Sequence, residues 1–398
     1  MSVTHSRART DSALARLCSA TPDVFADSIW ARRAWLSPSH DLPDHHWLFS
    51  LAAVDELLSR RGLRTPFLRM AKDGTVVPAA QFTGSGGVGA TIADQVRDED
   101  VLRLFTDGST IVLQGLHRTW EPVGDLAARL GTELGHPVQV NAYITPPQSQ
   151  GFSAHYDTHD VFVLQIAGQK HWRIHEPVIH LADTGWNTVA AEVAARASEA
   201  PILEATLTPG DCLYLPRGFI HSAAALGGTS IHLTFGIHAV TEAQIVAAVL
   251  EQVQDSDWRE SMPVGWDPMN ATEYLAPILE RIRQRIDRVD LDALGRDLRR
   301  RQAGQQRPEP LSPVAQADAA AHLQPHHVVR LRRFWNVELA DTGLRLPNGR
   351  TVTLVGADLP AIRLLMTGHP VSVQDLACDP ATIAGLLREG VLVIETEQ

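Results

Sequence analysis

The chain has little cysteine, very little lysine and no long apolar run, and the cysteine and apolar shortages each exclude a class of protein. Its three cysteines, Cys18, Cys212 and Cys378, are far apart and odd in number. They form neither a disulfide framework nor a CxxC metal pair, which favours a reducing compartment and points to the cytoplasm. No apolar stretch approaches the roughly 20 residues needed to span a bilayer. The N-terminal MSVTHSRARTDSALARL has no continuous apolar segment of the kind a signal peptide needs. Positive charge is not in excess either: the formal net charge is −11, against the basic footprint of a general nucleic-acid binder. What remains is an ordinary globular composition, 44% hydrophobic and 20% charged, in 398 residues. That length suits two or three domains with cores of their own.

Three zones separate along the chain. In the first, residues 1–240, HHWLFSLAAVDELLSRRG (45–62) predicts a helix stopped by Gly62. From about Ser109 strand signals accumulate: STIVLQGL, PVQVNAYIT, DVFVLQIAG, HWRIHEP, EATLTPGDCLYLP and TSIHLTFGIHAV. Many short β-branched or aromatic runs, broken by Gly, Pro and Asp, predict a sandwich or barrel. Residues 241–325 begin with helical periodicity, in TEAQIVAAVLEQVQ and EYLAPILERIRQRIDRVDLDALGRDLRRR. The arginines there interleave with Asp287, Asp290, Asp292 and Asp297, the pattern of a solvated helix face or a helical interface. AGQQRPEPLSPVAQADAA (303–320) reads as a linker. In residues 326–398, LRLPNGRTVTLVG predicts a hairpin around Asn348-Gly349, and two helices and a last strand follow. That order resembles a winged helix. A DNA-reading one carries a basic recognition helix, whereas TIAGLLREG holds one Arg and one Glu, so DNA binding is not expected.

GSGGVG (84–89) fits G-x-G-x-x-G, but the dinucleotide motif needs a buried strand before it and a helix opening at its end. Here KDGTVVPAAQFT precedes it, with Pro78 inside the only strand candidate, so it reads as a flexible loop. GFSAHYDTHDVFVLQIAGQKHW (151–172) is more specific. On a strand His155 and Asp157 would project to the same side, about 6–7 Å apart along the backbone. Two histidines and one carboxylate make a facial triad that leaves positions open on Fe(II). His159 shares that parity, but three ligands on one strand would lie along a line. The third ligand has to come from across the barrel, and TPGDCLYLPRGFIHSA supplies His221 just after a Pro-Arg-Gly bend, as in a cupin. Trp172 and Phe162 read as core, and Tyr156 as packing behind the site. His171 and His175 read as strand-face or surface residues.

VNAYITPPQSQGFSAHYDTHDVFVLQIAGQKHWRIHEP, with GDCLYLPRGFIHSA and SIHLTFG, resembles the JmjC-type ribosomal oxygenases. These are Fe(II)- and 2-oxoglutarate-dependent protein hydroxylases of the cupin superfamily, with O2 as cosubstrate. The resemblance is strong over roughly 110–238, and the three-part layout extends it over nearly the whole chain. It implies a mainly β double-stranded β-helix with flanking helices, then an α-helical dimerisation region and a winged-helix-like C-terminal domain. It implies His155, Asp157 and His221 as iron ligands. Lys170, on the strand after an AGQ turn, would hold the distal carboxylate of 2-oxoglutarate. Asn141 and Tyr143 would lie near cosubstrate and substrate, and Thr234 would touch the cosubstrate from the closing strand. The implied substrate is a protein or peptide side chain, with a ribosomal protein and its histidine or arginine in view, and the implied assembly is a homodimer.

Two departures bear on the substrate. Gly236 stands where relatives often carry a serine near the substrate, and His232 is either turned toward the site or a satisfied core histidine. Lys170 matches the histidine-modifying branch, whereas the arginine-modifying bacterial branch tends to use arginine. Oxidation of an N-methyl carbon, which leads to demethylation, would use the same step. Two other readings of the same residues are a non-catalytic cupin scaffold or regulator and a metal cupin acting on a small molecule.

Overall fold

Residues 12–395, apart from 90, 148, 150, 151, 255 and 341, are described by the computed structural model; the first eleven residues of the N-terminal stretch lie outside it. Two compact units divide the chain, 1–239 and 240–398. The β-rich sequence of the first unit forms strands β1 (Trp35–Ser37), β2 (Leu68–Lys72), β3 (Thr75–Val76), β4 (Thr83–Gly84), β5 (Gln95–Val96), β6 (Thr110–Leu113) and β7 (Val138–Thr145). These are followed by β8 (Asp160–His175), β9 (Leu203–Leu207), β10 (Cys212–Leu215) and β11 (Ile220–Ile237). The main sheet runs β1-β10-β8-β11-β7-β6-β2-β3, with β9 joined to β8. Its pairs are antiparallel.

The sequence suggests two strands and a turn within 160–175, but that segment is a single long strand, and so is 220–237. β8 and β11 pair from Asp160↔Ile237 to His175↔Ile220, with a register shift between Leu226 and Ile231. The AGQ stretch therefore lies at a bulge in the β8–β11 ladder, with residues 227–230 opposite Gly168, and is not a hairpin turn. Gly168 sits there at φ +64°, and a Cβ would lie 2.2 Å from the Thr229 carbonyl oxygen. Glycine admits both that dihedral and that close approach, so the strand bends without reversing. The first half of β8 pairs with β10 and the second half with β9.

Burial explains why the alternation along β8 is hard to read. Phe162 and Leu164 enter one core with Phe25, Leu126, Tyr214 and Phe235. Val161 and Val163 enter another with Trp172, Ile174, Leu213 and Phe219. A strand buried on both faces reads as a continuous apolar run. Each large side chain so buried contributes about 1.5–3 kcal/mol. The helix Glu121–Leu134 packs Val123, Leu126 and Leu130 inward and ends at Gly135 in the left-handed region. The helix expected over 45–62 is shorter, Leu51–Arg60, because Ser50 caps its first turn, its Oγ accepting from the Ala53 amide. GSGGVG is a loop, as read: β4 and β5 pair with each other.

In the second unit, helices Glu242–Val253, Ala271–Ile286 and Leu291–Gln305 follow the periodic segments. Thr241 and Gln244 form a capping box on the first. The supposed linker is partly helical instead: Pro313–Ala321 is a helix with proline in its first turn, where the missing N–H is no loss. Ala320 enters the core of Val329, Leu344, Ile362, Ile383 and Leu392, and Gln316 donates to the Leu392 carbonyl. Glu309 pairs with Arg330 at 2.7 Å and with Arg333 at 3.0 Å. The hairpin around Asn348-Gly349 is present, with Gly343–Arg345 paired to Thr351–Thr353. Helices Leu359–Leu365 and Pro380–Arg388 and the strand Leu392–Ile394 complete the unit. Among the described residues, no helix is long and apolar enough to cross a membrane.

Candidate metal centre

His155 and Asp157 lie in the segment entering β8 rather than on a ladder strand, which differs from the strand-parity expectation. His155 instead forms an isolated antiparallel bridge with His221 at the start of β11. The amide of each donates to the carbonyl of the other, at 3.1 and 2.8 Å. This single bridge does what a strand would have done, bringing the rings to 4.4 Å between centroids. Asp157 Oδ2 lies 3.7 Å from His221 Nε2. One ligand-type atom from each of His155, Asp157 and His221 lies within 4.8 Å of the others.

The protonation states also suit a cation. His155 Nδ1 lies 2.7 Å from the Ser153 carbonyl and His221 Nδ1 lies 3.0 Å from that of Phe219. A carbonyl only accepts, so each Nδ1 carries a proton and each Nε2 is the nitrogen left to face a metal. Burial, aided by the neighbouring His155, pushes His221 down to about 4. Burial alone would raise the Asp157 carboxyl, but His221, His155, His159 and Arg69 around it outweigh that and hold it below its usual range. Two imidazoles and a carboxylate are a donor set for a divalent transition metal.

These residues line a cavity of about 220 Å³ together with Arg69, Tyr143, Phe152, Lys170, Trp172, Trp186, His232 and Thr234. Lys170 is 4% exposed, and its Nζ bonds Thr145 Oγ1 at 3.2 Å. The ammonium sits 5.8 Å over the Trp172 ring. Burial lowers its pKa to about 7, and among the described residues Lys170 has a hydroxyl, not a carboxylate, as its hydrogen-bond partner. His232 faces inward, stacked on Tyr143 at 4.9 Å and edge-on to Trp172 at 5.4 Å. Burial, with Lys170 nearby, keeps it neutral. The Tyr143 hydroxyl lies beside Thr234 and Asn141.

Not every sequence candidate reaches the cavity wall. Asn141 stands behind Tyr143, its Oδ1 accepting from the Gly115 amide at 3.0 Å, and is not among the lining residues. Gly236 does not line it either; a Cβ there would meet the His159 ring at 2.6 Å. His159 fills that space and stacks on His238 at 5.0 Å. His171 bonds Glu204 and Thr206 outside the site. Tyr156 is buried, with its hydroxyl donating to the Thr184 carbonyl, as its parity implies. Sequence reasoning missed Arg69, Thr110, Phe152 and Trp186 on the wall. Arg69 and Thr110 lie on β2 and β6, and only cross-strand register reveals that these strands border the site.

Residues 121–245 match the family model described as the JmjC domain. The chain is 32% identical over 232 residues to a bifunctional lysine-specific demethylase and histidyl-hydroxylase NO66 of Culex quinquefasciatus, covering 55% of this chain and 33% of that protein. It is 29% identical over 253 residues to ribosomal oxygenase 1 of Bos taurus, covering 61% and 36%. The chain thus spans about a third of the length of these relatives. The fold matches that of YcfD, a ribosomal oxygenase from Escherichia coli solved with cobalt and 2-oxoglutarate, over 96% of this chain and 99% of that one. The TM-score is 0.53 at 18% identity.

Proposed function

We propose that this chain, whose residues 121–245 carry a JmjC domain, is an Fe(II)- and 2-oxoglutarate-dependent oxygenase that hydroxylates a protein side chain. The observation that carries this reading is the shared cavity of the His155–Asp157–His221 donor set and the buried Lys170. The donor set fits iron: two imidazoles and one carboxylate offer ligand atoms within 4.8 Å of one another on the wall of the cavity. Bound there, the metal with 2-oxoglutarate and O2 supplies the oxidising power to convert C–H to C–OH while 2-oxoglutarate becomes succinate and CO2.

The chain's own residues select and orient. Lys170 and Thr145 receive the distal carboxylate of 2-oxoglutarate, and the charge-assisted bond there is about twice as strong as a neutral one. Pairing restores the proton that burial disfavours. Trp172 closes the lysine side of the cavity, which excludes water and strengthens the pair. Tyr143 and Thr234 border the cosubstrate, and His232, stacked on Tyr143 and edge-on to Trp172, fixes the wall between it and the substrate. The names of the relatives, ribosomal oxygenase and histidyl-hydroxylase, support a ribosomal protein and its histidine as substrate; an arginine is the alternative target.

Residues 241–325 serve, in this reading, to pair two copies of the chain. Val246, Leu250, Leu275, Leu279 and Ile286 are apolar and exposed on the helices there, and such faces call for a partner. Residues 326–398 act as a winged-helix-like domain without a DNA-binding role. Free Cys18, Cys212 and Cys378 suit a cytoplasmic location. Succinate release from 2-oxoglutarate with Fe(II) tests the enzyme; none with any ribosomal-protein peptide, together with no Fe(II), Co(II) or Mn(II) binding, contradicts it. A monomer by light scattering contradicts the pairing.

A further inference from the structure

The geometry points to Arg69 as a charge filter on the substrate: it admits side chains that offer a hydrogen-bond acceptor and rejects those that carry positive charge. The inference rests on the oxygenase reading of the cavity. Register puts Arg69 opposite Val112, Val112 opposite Tyr143, and Tyr143 opposite His232. That row runs across four strands, and Arg69, Tyr143 and His232 all line the cavity. The next row on the same face holds Thr110, Thr145 and Ser230, where Thr145 meets Lys170. The cavity therefore contains two cations, and only Lys170 is used for the cosubstrate.

Arg69 is left over in a specific way. Its Nε is buried without a hydrogen-bond partner. Among the described residues its direct contact is the Phe152 ring, 5.4 Å from the guanidinium. The residue lines the cavity and keeps one of its donors, Nε, buried without a partner. The planar fork is suited to an acceptor presented in one plane, such as an imidazole, carboxamide or carboxylate. Asp157 feels the Arg69 charge, but its carboxylate belongs to the donor set with His155 and His221, which leaves the guanidinium to act on the substrate. An arginine, lysine or methylated lysine entering the same 220 Å³ meets a like charge in a site with restricted water. Such juxtaposition suppresses a wrong partner by orders of magnitude.

The test uses four fluorescent peptide pools, each with a fixed central His, Asn, Arg or Lys between randomised positions. Binding to full-length protein loaded with Mn(II) and 2-oxoglutarate is read by anisotropy, and oxygen insertion by the +16 Da shift with Fe(II). Wild type holds the His and Asn pools at least about 30-fold more tightly than the Arg and Lys pools, in line with the cost of like-charge contact. Arg69→Gln narrows that ratio to less than about threefold, and Arg69→Lys, which keeps the charge, retains it. A wild type that favours the Arg or Lys pool overturns the filter. So does a ratio unchanged in Arg69→Gln, including the case where only the KM for 2-oxoglutarate rises. Succinate release by wild type without peptide is measured in parallel: if it occurs, a failed ratio counts against the filter alone. Absence of both succinate and metal binding counts against the oxygenase.

Discussion

Binding of 2-oxoglutarate should draw a proton into the protein, and Lys170 fixes how much. Burial takes its pKa from the ordinary 10.5 to about 7. At 1.36 kcal/mol per unit, charging the lysine in the unliganded cavity costs about 5 kcal/mol. A carboxylate in contact reverses this and returns the lysine to its charged form. The sign follows: below about pH 7 the site is already charged and affinity is flat, and above it each pH unit weakens binding about tenfold. At pH 8 roughly 0.9 proton is taken up per 2-oxoglutarate bound. Calorimetry with Mn(II)-loaded protein, in two buffers of different ionisation enthalpy, reads that number without turnover. Lys170→Met should bind weakly and lose the uptake. No uptake at pH 8, or the same uptake in Lys170→Met, would refute the assignment of Lys170 as the anchor.

Other outcomes follow from the same contacts. Mn(II) at 100 times its Kd should stabilise wild type by about 2.7 kcal/mol, and His221→Ala should abolish the shift in a thermal melt. Gly168→Ala places a Cβ against the Thr229 carbonyl at φ +64° and should cost more than about 1 kcal/mol in urea unfolding; an unchanged midpoint contradicts the bulge. Glu309 is held down to about 2 by Arg330 and Arg333 against the opposing effect of burial. Its contribution of about 3 kcal/mol is therefore present above pH 4.5 and lost as pH falls toward 2. Glu309→Gln should remove that part of the acid dependence in unfolding of the second unit.

The chemistry of the site was legible in the sequence because it depends on residue types in short runs. His155, Asp157 and the bend before His221 are readable by eye, and Lys170 is conspicuous as one of two lysines in the chain. Geometry was less legible. An isolated bridge to His221, rather than strand alternation, aligns His155, and no local pattern announces a two-residue bridge. Gly168 reads as a turn because a bulge glycine and a turn glycine share the same positive φ; only the pairing of β8 with β11 on both sides of it distinguishes them. The helix Pro313–Ala321 hid in a Pro- and Gln-rich stretch because its stability comes from packing against Leu392 and its neighbours, not from propensity. Arg69 was invisible for a similar reason: its place in the cavity follows from three successive strand pairings.

Succinate formed from 2-oxoglutarate, measured by mass spectrometry with Fe(II) and ribosomal-protein peptides, tests the central claim most directly. Wild type should release succinate together with a +16 Da peptide, and Asp157→Ala should release neither. Product formation that persists in Asp157→Ala, or a wild type that binds metal yet leaves 2-oxoglutarate intact, would contradict the account.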